Sequence, residues 1–199
     1  TSATTLIISM EEEKQDIKKA VETLRAGAVV LFASEYGWGF GCDATKSEAV
    51  DKLLAITQSS STENIVVLID NASKLQTYLD EVPDMAWDLI DLSEKAITII
   101  YSSTRNLAQN ILTKDAAVAI MVTTDHFAKA ICAQFRNPIA FLTTTSASKT
   151  TATLLSEISN TAISSADYVV KTQQAKKNTA QLPALIKLKK GNLFEIIRK

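Results

Sequence analysis

Histidine is nearly absent from this 199-residue chain, and His126 is its only copy. A histidine-rich metal site, or a hydrolase built on Ser-His-Asp, would have to rest on that one ring. Cysteine is almost as scarce. Cys42 and Cys132 lie far apart, form no C-x-x-C pair and make no zinc ligand set. Proline occurs three times and glycine five times, which excludes collagen-like and low-complexity architectures. No apolar run reaches the roughly 18 residues of a membrane span, so no membrane partner is expected. The opening TSATTLIISMEEE lacks the basic stretch and long apolar core of a secretion signal. The expectation is a cytoplasmic protein with reduced thiols. Charge of one sign is missing too: the formal net charge is -1. That is no footprint of a strong, non-specific nucleic-acid binder.

What is present is an ordinary globular composition, 46% hydrophobic and 22% charged. Ile17, Ala20, Val21 and Leu24 recur at helical spacing and predict a helix over Glu11–Arg25, with Gly27 as its stop. Residues 1–10 are expected as a tail or leading strand, and 11–199 as one domain. Short apolar runs predict strands at Ala28–Ala33, Ile65–Ile69, Ala96–Tyr101, Ala117–Val122 and Pro138–Leu142. Helices are predicted at Ser47–Ile56, with Ser47 as N-cap, and at Ala72–Leu79, Asp84–Leu92 and Asp125–Phe135. After a hydroxyl-rich loop at Thr143–Thr153, a short helix is expected at Leu154–Ile158. Closing strands follow at Tyr168–Val170, Leu185–Leu188 and Phe194–Ile197, the last two joined by a turn at Gly191-Asn192. This alternation predicts an α/β fold: a single-domain, twisted, open mixed sheet with flanking helices.

Most of the glycines crowd into one segment, Gly37-Trp38-Gly39-Phe40-Gly41, between a predicted strand and a predicted helix. Such a glycine turn can bring backbone amides to a phosphate, or can simply serve as a turn. It is neither G-x-G-x-x-G nor a P-loop. Ala33 to Ala44, ASEYGWGFGCDA, resembles the signature P-T-D-T-x-[YW]-G-x-G-C-D-A of the YrdC family, the threonylcarbamoyl-AMP synthases of tRNA modification. The second half, WGFGCDA, fits closely, while Ser34 and Glu35 are conservative changes in the first half. The likeness continues through EAVDKLLAI, KAITIIYSSTRNLA, FAKAICAQFRNPI and ALIKLKKGNLFEIIR, in the family's order and spacing.

The resemblance implies a fold, an activity and a cleft that binds ATP, Mg²⁺ and L-threonine, with bicarbonate as co-substrate and tRNA or double-stranded RNA as partner. By register, that cleft would include Ser34, Glu35, Trp38, Thr57, Ser59, Glu63, Thr98, Met121, Thr143, Thr145 and Pro183. Several of these depart from the pattern. The family's K-x-R, which faces the ATP phosphates, reads Thr57-Gln58-Ser59, and a later basic position reads Glu63. The arginine that meets the threonine carboxylate falls on Met121. The S-T-S-A-N motif falls on Phe141 to Thr145, or in a shifted register on Thr144 to Ser148, and P-S-S/T becomes Leu182-Pro183-Ala184. Adenylyl transfer builds charge on the leaving pyrophosphate, and removing one aimed donor typically costs about 10²–10³ in rate. The expectation is therefore a weak or silent synthase acting as an RNA-, nucleotide- or partner-binding module, with the active synthase as the alternative.

Three further features have a plain reading beside a functional one. Tyr36 and Trp38 could stack on a base or pack in the core. The basic tail, with Lys187, Lys189, Lys190 and Arg198, could meet RNA or be a solvated end. Cys42 and His126 read as a buried residue and a surface residue rather than as catalysts.

Overall fold

The structure is a computed structural model and describes residues 2–144, 152–174 and 181–199. The chain opens with helix α1 (Ala3–Arg25), capped by Ser2, whose side chain accepts from the Thr5 amide. Residues 3–10 are thus helical, not a tail or a leading strand. The amphipathic stretch that follows nucleates the helix, and the β-branched residues of TTLII cost only tenths of a kcal/mol each. Ile17, Ala20, Val21 and Leu24 are buried, whereas Leu6, Ile7, Ile8 and Met10 on the first turns stay exposed.

Strands β1 (Val30–Ser34) and β2 (Gly37–Asp43) form an antiparallel hairpin. The glycine cluster is therefore a strand and not the ligand-cradling turn the sequence allowed. A Cβ on Gly39 would stand 2.4 Å from Cζ of Phe141, and one on Gly41 would stand 2.6 Å from Cε1 of Phe32. The glycines are small because these two rings, packed edge-on with centroids 5.1 Å apart, press onto the strand. Only Gly37, with φ of 79°, serves the turn itself.

Helix α2 (Ser47–Thr57) follows, with Lys46 at the cap position and no side-chain cap, so Ser47 lies inside the helix. Next come β3 (Val66–Ile69), the single-turn α3 (Leu75–Tyr78), α4 (Asp84–Leu92), β4 (Ile97–Tyr101) and β5 (Val118–Val122). Helix α5 (His126–Phe135) is capped by Asp125, which accepts from the Phe127 and Ala128 amides. It leads to β6 (Ile139–Thr143). After α6 (Asn160–Ser165), absent from the sequence expectation, β7 (Tyr168–Val169), β8 (Ala184–Lys189) and β9 (Leu193–Arg198) close the fold.

Among the described residues nine strands join one sheet in the order β7-β1-β2-β6-β3-β5-β4-β8-β9. The pairs β1/β7, β3/β5 and β4/β8 are parallel and the rest antiparallel. The mixed, helix-flanked α/β sheet is the fold class the sequence predicts. Alternate residues feed two cores. On one face Val67, Ile99, Ile120 and Leu142 pack with Val50 and Leu53 of α2 and Ala86 of α4. On the other, Phe32, Leu68, Met121 and Phe141 pack with α1 and with Phe127, Ile131 and Phe135 of α5. Each such Val, Leu, Ile, Phe or Met side chain, fully buried, contributes about 1.5–3 kcal/mol.

Candidate functional site

The β1–β2 turn reaches over the sheet to the carboxyl end of β5 and to Thr98 near the start of β4. The Glu35 carboxylate accepts from Thr123 Oγ1 at 2.6 Å and from the Thr124 amide at 2.8 Å, just past β5. Ser34 is buried, and its Oγ accepts from the Tyr36 amide at 3.1 Å, which fixes the turn. The Tyr36 side chain then folds back over the sheet. Its hydroxyl lies 2.6 Å from Thr98 Oγ1 and accepts from Arg198 Nη2 at 3.0 Å, while the guanidinium carbon sits 5.5 Å from its ring centroid. Either oxygen of the Tyr36–Thr98 pair can be the donor. Burial pushes the Tyr36 pKa above its usual value, against the opposing pull of Thr98 and Arg198. Tyr36 is 5% exposed, and Thr98 and Met121 are 0% exposed. Met121 is the cross-strand partner of Thr98 and shares a core with Tyr36.

Beside this knot lies a cleft of about 380 Å³, lined by Glu35, Lys95, Thr124, Pro183 and Lys199 among others. The Pro183 carbonyl accepts from Arg198 Nε at 2.9 Å, so the guanidinium ties the cleft wall to the Tyr36 turn. A second anchor sits behind β1. Gln173 is buried and closes both backbone groups of Ala33, at 2.9 Å each. The Asp16 carboxylate, 4% exposed, collects the Tyr168 hydroxyl, the Lys171 and Thr172 amides and the Thr172 hydroxyl.

The residues predicted from sequence fall into separate places. Ser34, Glu35, Thr98, Met121 and Pro183 come together at the cleft end. Thr57, Ser59 and Glu63 lie in the segment that leads from α2 into β3, whereas Thr143 ends β6 opposite Gly39, beside the β1–β2 turn. Thr57 Oγ1 donates to Leu53 O at 2.8 Å, and Ser59 Oγ donates to Ser61 O at 2.8 Å, so both hydroxyls serve their own backbone. Trp38 points to the opposite, helix-backed face and is 0% exposed. Its ring packs in the core because alternation along β2 turns it away from Gly37 and Gly39. Thr145 and the alternative register Ser146 to Ser148 lie outside the described residues.

The tail also differs from its expected form. Arg198 turns inward to Tyr36 and Pro183 rather than outward to a phosphate. Lys189 pairs with Glu195 at 2.8 Å, Lys187 is half-buried, and Lys190 alone of the expected set is exposed with no ion-pair partner among the described residues. His126, 81% exposed in its side chain, meets Glu13 at 2.7 Å. Burial drives the thiol pKa of Cys42 and Cys132 far above the reactive range. Among the described residues no cluster of His, Cys, Asp or Glu could hold a metal ion, and no helix is long and apolar enough to cross a membrane.

Sequence reasoning missed Thr123, Thr124 and Gln173. The two threonines carried a usable signal, a hydroxyl pair at the carboxyl end of a buried strand, where open α/β sheets place their crevices. Gln173 carried none.

The threonylcarbamoyl-AMP synthase of Pseudoalteromonas translucida is 28% identical over 130 residues, which are 64% of this chain and 70% of that protein. The threonylcarbamoyl-AMP synthase of Photobacterium profundum is 27% identical over 143 residues, 68% of this chain and 73% of that protein. Among solved structures, P. abyssi Sua5 complexed with L-threonine superposes with a TM-score of 0.79 at 18% identity, covering 92% of this chain and 53% of that one. E. coli YciO superposes with a TM-score of 0.79 at 20% identity, covering 92% of this chain and 88% of that one. The chain spans little more than half of the Sua5 chain, and at these identities both structures establish the fold alone. A family model for Sua5, YciO and YrdC, described as telomere recombination, matches residues 22–199. The chain therefore belongs to the Sua5–YciO–YrdC family, to which the threonylcarbamoyl-AMP synthases are related.

Proposed function

We propose that this chain is a YrdC-type binding module that no longer makes threonylcarbamoyl-AMP, and that its remaining cleft takes a small nucleotide-like ligand. The single observation that carries this reading is the Tyr36 knot. The family resemblance puts the arginine for the threonine carboxylate at Met121. Here Met121 offers no charge, is fully buried, and shares its core with the Tyr36 ring. A substrate carboxylate in that position would have to displace the ring and would find no bidentate partner. The family's ATP-facing cations are replaced by Thr57 and Ser59, whose hydroxyls are spent on local backbone. Without aimed cations, the charge growing on pyrophosphate is left to Mg²⁺ alone.

A small ligand is favoured over RNA because half of the expected basic tail is already committed. Arg198 is turned inward, and Lys189 is neutralised by Glu195. The 380 Å³ cleft keeps Lys95, Thr124 and Lys199 at its rim. The active synthase stays the competing reading, on the strength of the relatives' activity.

The test is pyrophosphate release from ATP and Mg²⁺, with and without L-threonine and bicarbonate, beside a family synthase. We expect no release above the reaction lacking L-threonine, and no retention of labelled L-threonine in equilibrium dialysis, while AMP is retained. Release that needs both co-substrates overturns the reading. Loss of AMP retention together with tRNA binding that falls steeply with salt would move the partner from nucleotide to RNA.

A further inference from the structure

Along the outer face of α1 runs a groove of about 640 Å³, which shares no lining residue with the cleft and is lined by Ile8, Glu11, Glu12, Gln15 and Lys19 and closed on its far side by Tyr168 and Lys171. Glu11, Glu12, Lys18 and Lys19 are all exposed. Glu12, Lys18 and Lys19 have no ion-pair partner among the described residues. Glu11 meets only Lys14, at 3.8 Å, with both side chains more than half exposed. Just upstream, Ile7 is 64% exposed and Ile8 is 55% exposed, more apolar surface than a free helix end carries without cost.

These charges are complementary to themselves. Lys18 and Lys19 follow Glu11 and Glu12 by two helical turns, on the same face. We propose that this face of α1 pairs with α1 of a second copy of the chain, antiparallel about a two-fold axis beside Gln15. A two-fold of this kind keeps each flank of one helix against the same flank of its mate. Glu11 then faces Lys18 of the second copy on one flank, and Glu12 faces Lys19 on the other, each pair occurring twice. Ile8 lies over the aliphatic stems of Lys19 and Glu22 of the second copy. A parallel pairing in register would instead set Glu11 and Glu12 against themselves. No other register of the helix aligns both acids with both bases. The charge pattern selects a second copy over a partner of different chemistry.

The interface is modest and mostly polar, so a dissociation constant of about 10–100 µM is expected. It should weaken with salt, because the screening length falls from about 10 Å at 0.1 M to about 3 Å at 1 M. Sedimentation velocity of the full chain from micromolar to millimolar concentration tests this, with circular dichroism as a check on folding. E11K/E12K and K18E/K19E each put like charges across the axis and should weaken self-association at least about tenfold. An equimolar mixture of the two variants should restore a dimer, because each altered face then meets its complement. A monomer at every concentration overturns the proposal. So does a dimer that both variants keep, or a mixture that stays monomeric. Restoration on mixing has no explanation in a dimer built on another surface.

Discussion

The two halves of the sheet obey different rules. In the half built from β1, β2, β6 and β3, helices back both faces, and every residue of β1, β2 and β3 is buried. In the half built from β4, β8 and β9, helix cover thins. Leu193, Phe194, Ile196 and Ile197 of β9 are between 46% and 63% exposed. The first half is made by volume: rings are fitted onto glycines. The second is made by hydrogen bonds and charges: Tyr36 to Thr98 and Arg198, and Lys189 to Glu195. Polar groups are held wherever partners are within reach, at the Tyr36 turn and also behind β1, where Gln173 closes both backbone groups of Ala33. The same residue type therefore has different worth in the two halves, and substitutions can test how sharp the boundary is.

The largest effect belongs to Gly39→Ala in the packed half. The added Cβ would meet Phe141 Cζ at 2.4 Å and the Leu142 carbonyl oxygen at 2.7 Å. A ring held on both sides and a backbone atom of a paired strand cannot both retreat. Overpacking of this kind costs about 3 kcal/mol. The urea midpoint should fall by more than for any substitution on β9. An unchanged midpoint would mean the two halves are equally loose.

The contrast also explains what the sequence revealed. Buried strands read directly as apolar runs: β3, β5 and β6 appear within a residue or two of their predicted bounds. Asp84–Leu92 is recovered as written, since Pro83 marks its start. The glycine cluster misleads because a glycine that admits a ring and a glycine that admits a phosphate look alike in one dimension. Residues 3–10 mislead because TTLII fits a strand as well as a helix, and only Ser2 and the downstream stripe decide it. The candidate site was legible at Ser34, Glu35 and Thr98, which sit on elements the motif orders. The Tyr36 knot was not, because its hydroxyl meets residues 62 and 162 positions away. Nothing in a linear pattern tells a ring that stacks on a base from one that bonds across a sheet.

A middle effect is expected at the boundary. Tyr36→Phe removes the hydroxyl but keeps the ring, so Arg198 retains its aromatic face and the Pro183 carbonyl. Thr98, which is buried, loses its partner. The cost should be about 1–2 kcal/mol in denaturant unfolding, typical of a buried hydroxyl left unpaired. The pH profile gives an independent reading. Burial raises the folded-state pKa of Tyr36, so its contribution is complete below the ordinary tyrosine range. It is lost as pH rises toward the folded-state value. The Phe chain should lose that part of the alkaline fall in stability, while the fall due to buried Tyr101, also raised by burial, remains.

The smallest effect should come from Glu195→Gln, on the exposed hairpin. Lys189, with help from Lys187, holds the Glu195 carboxyl below its usual pKa. The sign follows from that direction. A depressed carboxylate stabilises above its unfolded pKa and loses the contribution as pH falls through the folded value. Both partners are half exposed, at 51% and 50% in their side chains, so water and salt screen the pair. Glu195→Gln should therefore leave the urea midpoint within error at neutral pH, and adding 1 M salt to the unaltered chain should do the same. A clear drop at neutral pH that vanishes near pH 3 would show that the hairpin pair is coupled to the rest of the sheet. In that case the β9 half would be ordered by its charges as firmly as the β1 half is by its rings, and the boundary would lie elsewhere.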